Sequence, residues 1–271
     1  MENTKGGYRQ VFERNTEQVA MGTRIFYKDE NSVILQGDML TDEKIPENHI
    51  DLIVTSPPYN VNKDYGQAND NLSYEEYLDF TYKWLEKCLY WAKSDGRLCM
   101  NIPVDTGKGT QRSLGADITY IAKQVGWQYR TTIIWNEGNI SKSSARGSFM
   151  SASSPHIIAP VELIVVMYKD EWKKAKRGKS DTTNDEFTQW TNGMWTFSGE
   201  SKKKIGHPAP FPVELPKRCI KLFSYVGDIV LDPFMGSGTT IVASKMLDRK
   251  SMGIEISREF CELAFNRVLK Y

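Results

Sequence analysis

A short apolar strand that runs into two prolines constrains the fold of this chain more than any other feature. The run at residues 50–54 is rich in β-branched side chains, which predicts a buried strand, and Ser56-Pro57-Pro58-Tyr59 follows closely. A proline disfavours the helical region for the preceding residue and has no N–H donor, so the loop must be extended. It offers oxygen acceptors at Ser56 and Pro57 beside an aromatic ring, which would suit a flat ligand with N–H groups. These residues alone favour the simpler interpretation, an ordinary turn with Tyr59 in the core.

A glycine turn in the last quarter of the chain is the second informative feature. Residues 228–231 predict a strand, and a turn with Gly236 and Gly238 separates it from a predicted helix that includes Ile241. Such a layout holds a nucleotide-like ligand at the carboxyl edge of a sheet. The turn is not a P-loop, which needs Lys where Thr239 stands, nor a dinucleotide fingerprint, which needs a glycine at Ile241. By itself it leaves the ligand open.

Acidic residues follow two of the predicted strands, and one of them is a candidate ligand contact. Glu255 follows the predicted strand at residues 251–254, nineteen residues after Gly236. A carboxylate there can accept hydrogen bonds from both hydroxyls of a ribose, and the spacing favours this role over a helix N-cap. For Asp38, after the predicted strand at residues 32–36, the residues alone favour a simple cap of the next turn.

Strands and helices alternate along most of the chain. Further predicted strands cover residues 96–103, 130–135 and 161–168, and predicted helices cover residues 73–89 and 116–125. This rhythm implies crossover connections and a parallel sheet. Because 271 residues can bury one large α/β core, we predict an N-terminal arm at residues 1–22 and a single domain at residues 23–271.

Composition excludes several classes of protein. The net charge is only +1, with a pI near 7.6, so any surface for nucleic acid must be local. The four cysteines are widely spaced and fit neither a disulfide framework nor a metal site, which predicts buried free thiols. The first twenty residues lack the apolar core of a signal peptide, and no stretch reaches membrane-spanning length. We expect a cytoplasmic protein that makes no membrane contact.

Three polar stretches interrupt the predicted core and could contact nucleic acid: residues 60–72, 137–157 and 169–205. Long loops without periodicity are often functional. The third stretch has six basic residues between Lys169 and Lys179 against two acidic ones, with tryptophans nearby. Such runs are usually a solvated surface, but basic groups interleaved with aromatic rings also suit phosphate contact and base stacking.

The two loops together resemble those of the S-adenosylmethionine-dependent DNA amino-methyltransferases, which methylate an exocyclic base nitrogen. Residues 56–59 match the family signature of Ser, Asn or Asp followed by Pro-Pro and an aromatic residue, and residues 232–240 match its cofactor loop. The likeness extends over residues 32–270, in the family's β arrangement, and makes residues 23–271 a catalytic domain. It implies an α/β Rossmann-like methyltransferase fold with a seven-stranded, mostly parallel sheet, helices on both faces and a small target-recognition insert.

The resemblance and the basic stretches assign three sets of residues. The catalytic set is Ser56, Pro57, Pro58 and Tyr59. The set that contacts S-adenosyl-L-methionine is Asp38, Met39, His207, Pro208, Asp232, Phe234, Gly236, Ser237, Gly238, Thr239 and Glu255. The DNA-contacting set is Asn60, Lys142, Arg146, Lys173, Lys174, Lys176, Arg177, Lys202 and Lys203. The implied partners are double-stranded DNA and a companion restriction endonuclease, for a monomer or a homodimer.

The identity of the methylated base follows from a family correlation. Ser in the first position of the signature mainly accompanies methylation of cytosine at N4, and Asp predominates among adenine N6 enzymes, so Ser56 favours cytosine over adenine. Three other functions stay open. A NAD-dependent dehydrogenase would use the glycine turn but leave the Pro-Pro loop unexplained, a non-catalytic DNA-binding module would need only the basic stretches, and a methyltransferase could also act on a small amine or a protein.

Overall fold

A nine-stranded mixed sheet forms the centre of the protein. The computed structural model describes residues 22–60, 72–106, 112–138, 146–157, 159–200 and 211–271. The strands in these ranges are β1 (Arg24–Lys28), β2 (Ser32–Gln36), β3 (Ile50–Thr55), β4 (Ala92–Pro103), β5 (Gln128–Asn136), β6 (Arg146–Gly147), β7 (Pro155–His156), β8 (Val161–Tyr168), β9 (Met194–Thr196), β10 (Ile229–Asp232) and β11 (Lys250–Glu255). The helices are α1 (Tyr74–Trp91), α2 (Leu114–Val125), α3 (Asn184–Trp190), α4 (Glu214–Phe223), α5 (Thr239–Met246) and α6 (Arg258–Val268).

The sheet order is β1-β2-β11-β10-β3-β4-β8-β5-β9, and β6 and β7 form a separate small hairpin. From β2 to β5 the sheet has seven strands, of which only β8 runs antiparallel to its neighbours. This confirms the predicted α/β methyltransferase architecture. The sheet is two strands wider than predicted, because β1 and β9 extend its edges. β9 has only three residues and β1 has an irregular register, so their sequence signal is weak.

Both faces of the sheet are covered, which explains why the run at residues 50–54 is apolar rather than alternating. Ile53 packs in one apolar cluster with residues of α1 and α2, whereas Leu52 and Val54 pack in a second with residues of α4 and α5. Successive side chains of a strand point to opposite faces, so β3 contributes to both clusters. The expected helices on both faces are therefore present.

Helix α1 begins where the sequence predicts. Ser73 is its N-cap and accepts a hydrogen bond from the backbone N–H of Glu76, while the Glu76 carboxylate accepts one from the Ser73 N–H. This capping box satisfies two backbone donors that have no partner inside the helix. Trp84 and Leu85 of α1 are fully buried, so this face of the helix serves packing.

The basic stretch that starts at Lys169 lies at the edge of the sheet where β3 and β4 begin. Lys169 follows β8 directly, and its N–H bonds to the Gly96 carbonyl. The side chain of Lys174 is 7% exposed, and its ammonium donates to the Asp51 carbonyl at 3.1 Å and lies 3.7 Å from the Asp95 carboxylate. The Lys174 ammonium is therefore already paired with Asp51 and Asp95 of the protein itself.

The Pro-Pro loop leaves the opposite, carboxyl edge of the sheet, and the two edges are about 20 Å apart along β4. A base held at Ser56 would therefore lie far from this stretch. Lys174 is therefore not free for the DNA contact predicted for it, whereas contacts through Lys173, Lys176 and Arg177 stay a prediction. Composition shows a basic stretch but not the edge of the sheet on which it lies.

The four cysteines, Cys88, Cys99, Cys219 and Cys261, are all buried free thiols, as predicted. Within the described ranges, no helix combines the length and the apolar character needed to cross a bilayer.

Candidate active site

The Pro-Pro loop and the glycine loop emerge side by side. β3 and β10 are parallel neighbours, with Leu231 paired to Ile53, so both loops leave the same edge of the sheet. The Thr55 hydroxyl, at the end of β3, donates to Asp232 Oδ1 at 2.8 Å. The Thr240 hydroxyl, at the start of α5, donates to Asp232 Oδ2 at 2.7 Å. One carboxylate therefore ties the two loops together.

Asp232, which was predicted to contact the cofactor, is completely buried. Burial raises the pKa of Asp232 to about 6, although hydrogen bonds from Thr240, Thr55 and the Phe234 N–H act in the opposite direction. Its two oxygens already accept from these three donors. The geometry makes Asp232 a structural link between the loops.

The Pro-Pro loop holds its side chains in a hydrogen-bonded arrangement. The Ser56 Oγ and Tyr59 Oη atoms are 2.6 Å apart, and the Tyr59 hydroxyl donates to the Asn101 carbonyl at 2.9 Å. The Pro58 carbonyl accepts from the Tyr77 hydroxyl at 2.9 Å. No described residue donates to the Pro57 carbonyl. The use of the Pro57 carbonyl as an acceptor stays a prediction, whereas the Ser56 hydroxyl already has one partner.

Glu255 reaches the glycine loop from the end of β11. Its Oε2 accepts from the Gly236 N–H at 2.9 Å, and its Oε1 accepts from the Ser257 N–H at 2.8 Å. Burial raises the pKa of Glu255 to about 7, and the two backbone donors act against this rise. The structure therefore brings Glu255 and the glycine loop together, as their spacing predicted.

Comparison with known proteins agrees with this geometry. A family model described as DNA methylase matches residues 50–266 of the chain. The chain belongs to this DNA methylase family. It is an S-adenosylmethionine-dependent DNA amino-methyltransferase of the restriction-modification type.

Three similar proteins illustrate the relationship. The type II methyltransferase M.MjaVI of Methanocaldococcus jannaschii is 58% identical over 175 residues, which cover 65% of this chain and 90% of that protein. M.HpaI of Haemophilus parainfluenzae, also a type II methyltransferase, is 32% identical over 230 residues, which cover 83% of this chain and 70% of that protein. The structure of a DNA modification methylase of Thermus thermophilus, complexed with S-adenosyl-L-methionine, matches with a TM-score of 0.67 and 28% identity, covering 87% of this chain and 92% of that one.

The methylase has a donor and acceptor set that fits its cofactor. The Glu255 carboxylate keeps lone pairs for ribose hydroxyls beside its two backbone donors. Gly236 and Gly238 have positive φ values of 50° and 76°, which turn the loop tightly at this carboxylate. S-Adenosylmethionine supplies an activated methyl group when it is bound.

Asp38 and Met39 lie next to Glu255, because the Gly37 N–H bonds to the Glu255 carbonyl at 2.9 Å. The exposed Asp38 carboxylate caps the following 3-10 turn by accepting from the Leu40 N–H at 2.9 Å, and Met39 is buried. The simpler interpretation of Asp38 as a cap is therefore confirmed. A cofactor contact through Asp38 or Met39 stays a prediction.

Side chains of the glycine loop point mainly into the protein. Arg267, from α6, donates to the Ser237 carbonyl at 2.7 Å, to the Ser237 hydroxyl at 2.8 Å and to the Thr239 hydroxyl at 3.0 Å. A Cβ on Gly238 would lie 2.7 Å from that of Ala264, so only glycine fits there. Phe234 packs edge-on against Trp84 of α1, 5.5 Å between ring centres. Arg267 was missed, since nothing in its local sequence marks it.

The predicted DNA contacts include Asn60, whose side chain is engaged within the protein. Its amide donates to the Leu72 carbonyl at 2.8 Å and accepts from the Leu72 N–H at 3.0 Å. Arg146 is the first residue of β6, which lies in the connection between β5 and β8 at the carboxyl edge of the sheet. Five predicted site residues lie outside the described ranges: Lys142, Lys202, Lys203, His207 and Pro208.

Cofactor affinity should fall as the pH drops through about 7, because only the ionised Glu255 keeps all its acceptors for the ribose. If the bound state requires the carboxylate, affinity at pH 6 should be up to about tenfold weaker than at pH 8. Isothermal titration calorimetry with S-adenosylmethionine at both pH values tests this.

A Glu255→Gln variant is the matched control, since it cannot ionise and shows how much of the pH dependence belongs to other groups. Equal pH dependence in the wild type and in this variant would contradict the role assigned to Glu255.

Proposed function

We propose that this methylase transfers the methyl group of S-adenosylmethionine to N4 of cytosine in double-stranded DNA, at a specific sequence, as one half of a restriction-modification pair. The observation that carries the proposal is the juxtaposition of the Ser56 hydroxyl and the Pro57 carbonyl with the cofactor loop at one edge of the sheet.

The chemical difficulty is that an exocyclic amino nitrogen is a poor nucleophile, because its lone pair is delocalised into the ring. Two acceptors that grip its N–H groups can redirect that density and orient the nitrogen toward the methyl donor. In this proposal the Ser56 oxygen and the Pro57 carbonyl perform this task. No strong base is required, since the nitrogen loses its proton after the transfer.

The target base lies inside the duplex stack, so it must be turned out before it reaches Ser56. Extrusion costs a few kcal/mol. The Tyr59 ring, half-buried beside Ser56, can stack on the extruded base and recover about 1–3 kcal/mol. Lys142, Arg146, Lys202 and Lys203 remain the proposed phosphate contacts.

The choice of cytosine depends on Ser56 standing where the adenine enzymes of the family mainly have Asp. Adenine N6 is the alternative, and the two acceptors would grip its amino group in the same way. A dehydrogenase does not explain a Pro-Pro loop that is tied to the glycine loop through Asp232. We propose a monomer or a homodimer.

Digestion of methylated DNA to nucleosides, followed by mass spectrometry, tests the proposal. DNA incubated with the protein and labelled S-adenosylmethionine should yield N4-methyldeoxycytidine, and sequencing of the modified sites should give one recognition sequence. N6-Methyldeoxyadenosine as the product would overturn the assignment of the base. No transfer to DNA, or equal transfer at all sequences, would overturn the function as stated.

A further inference from the structure

A buried amide in β4 connects the Pro-Pro loop to the neighbouring strand. Asn101 is 2% exposed and lies two residues before the end of β4, beside the end of β3. Its backbone carbonyl accepts from the Tyr59 hydroxyl, and its side-chain Nδ2 lies 3.3 Å from Tyr59 Oη and 2.5 Å from Glu162 Oε2. The Asn101 amide nitrogen therefore faces the Glu162 carboxyl oxygen and donates to it.

These contacts decide the direction of the hydrogen bond between Ser56 and Tyr59. A phenol has one proton, and the Asn101 carbonyl, which can only accept, takes it at 2.9 Å. The Asn101 Nδ2, which can only donate, approaches the same phenol oxygen at 3.3 Å and holds the hydroxyl in this orientation. At the contact of 2.6 Å with Tyr59 the donor is therefore Ser56. With its only proton committed, the Ser56 oxygen presents lone pairs alone to a ligand. It can then accept a hydrogen bond from an amino group but cannot donate to a ring nitrogen.

The orientation of the Asn101 amide lowers the stability of the folded protein. Among the described residues the Asn101 Oδ1 is buried without a hydrogen-bond partner, and an unpaired buried acceptor costs about 1–3 kcal/mol. Both protons of Nδ2 are directed at Tyr59 and Glu162, so the oxygen points away from these two groups, where no described residue donates to it. An unsatisfied polar atom beside a catalytic loop is typical of a residue retained for function rather than for folding.

We propose that Asn101 and Glu162 are positioning residues that orient the Tyr59 hydroxyl and thereby fix the Ser56 oxygen as an acceptor for the target amino group. The inference depends on the proposed function, because it concerns the group that Ser56 grips. Neither residue need touch the base, since both act through Tyr59.

Single-turnover rates of methyl transfer measure the effect without interference from product release. Asn101→Leu and Tyr59→Phe should each lower the rate about tenfold in the wild-type background. In the Ser56→Ala background the same substitutions should change the rate by less than about twofold, since the atom they orient is gone. The affinity for S-adenosylmethionine should stay within about twofold, and Asn101→Leu should leave the unfolding midpoint unchanged or raise it.

Two controls separate positioning from structure. Glu162→Gln keeps an acceptor for Asn101 and should retain most of the rate, whereas Glu162→Leu should match Asn101→Leu. Thr81→Val removes another buried polar atom that has no partner in the described part of the chain. It lies in α1 away from the loop, so this substitution should leave the rate unchanged.

Equal rate losses in both backgrounds, or no loss in the wild-type background, would overturn the positioning role while leaving the proposed function intact. Transfer to adenine would overturn only the assignment of the base, because Ser56 would face an amino group in either case. Absence of transfer to DNA by the wild type would overturn both proposals.

Discussion

Replacing Ser56 by alanine should lower the single-turnover rate of methyl transfer to DNA about 100- to 1,000-fold. The substitution removes one of the two acceptors that redirect the lone pair of the amino nitrogen. Loss of one preorganised hydrogen bond to a reacting group costs this much in other enzymes. The affinity for S-adenosylmethionine should change less than about twofold, because Ser56 belongs to the Pro-Pro loop and Glu255 belongs to the cofactor loop. The effect should therefore appear in the rate and not in cofactor binding.

Ser94→Ala is the matched control for this variant. Ser94 is exposed at the amino edge of the sheet, so the same chemical change there should leave the rate within about twofold of the wild type. Tritiated methyl transfer measures both variants, and calorimetry checks that each still binds the cofactor. Full activity in Ser56→Ala would refute the assigned site, whatever the product analysis shows.

Local signals were enough to predict the two loops. The prolines of residues 56–59 and the glycines at Gly236 and Gly238 restrict the backbone at the positions where they stand, so their effect can be deduced without a fold. That the loops meet follows from parallel strands having a common carboxyl edge. The β3 and β10 pairing confirms this step.

Contacts made through the sheet register could not be predicted. Asn101 is 42 residues from Tyr59 and 61 from Glu162 in the sequence, and the three meet only because β3, β4 and β8 are neighbours. The hydrogen bond between the Ser56 and Tyr59 hydroxyls was also not predicted, although the two residues are only three apart in the sequence. A Ser side chain beside a proline gives no sign of which neighbour will share its proton.

Lys174 shows a different limit of sequence analysis. Its basic neighbours suggested phosphate contact, but the chain returns through β8 to the amino edge of the sheet, where Asp51 and Asp95 surround the ammonium. Charge pattern predicts that a stretch needs anions nearby but does not show whether these come from DNA or from the protein. The antiparallel direction of β8, which decides the matter, has no local signal.

The largest expected effect on stability is that of a substitution at Asp181, which lies in the stretch at residues 169–205. The Arg249 side chain is 0% exposed and pairs with both carboxylate oxygens of Asp181, at 2.7 and 2.8 Å. Its other N–H groups donate to the Ser224 hydroxyl and carbonyl and to the Leu247 carbonyl, so all five guanidinium donors are satisfied. Asp181→Ala would leave a buried cation without its counter-ion. The free energy of unfolding should fall by about 3–5 kcal/mol.

Asp79→Ala is the matched control, because Asp79 and Lys83 form an ion pair on the surface of α1 with side chains 63% and 56% exposed. The same substitution there should cost less than about 1 kcal/mol. Urea unfolding at pH 7 measures both variants.

Burial alone would raise the pKa of Asp181, but its hydrogen bonds from Arg249 outweigh this effect and lower the pKa. The stability from ionised Asp181 is therefore present at neutral pH and lost as the pH falls through the folded-state pKa, so the difference between wild type and Asp181→Ala should narrow in acid. A difference that grows in acid would show that Asp181 is not the counter-ion on which the fold depends.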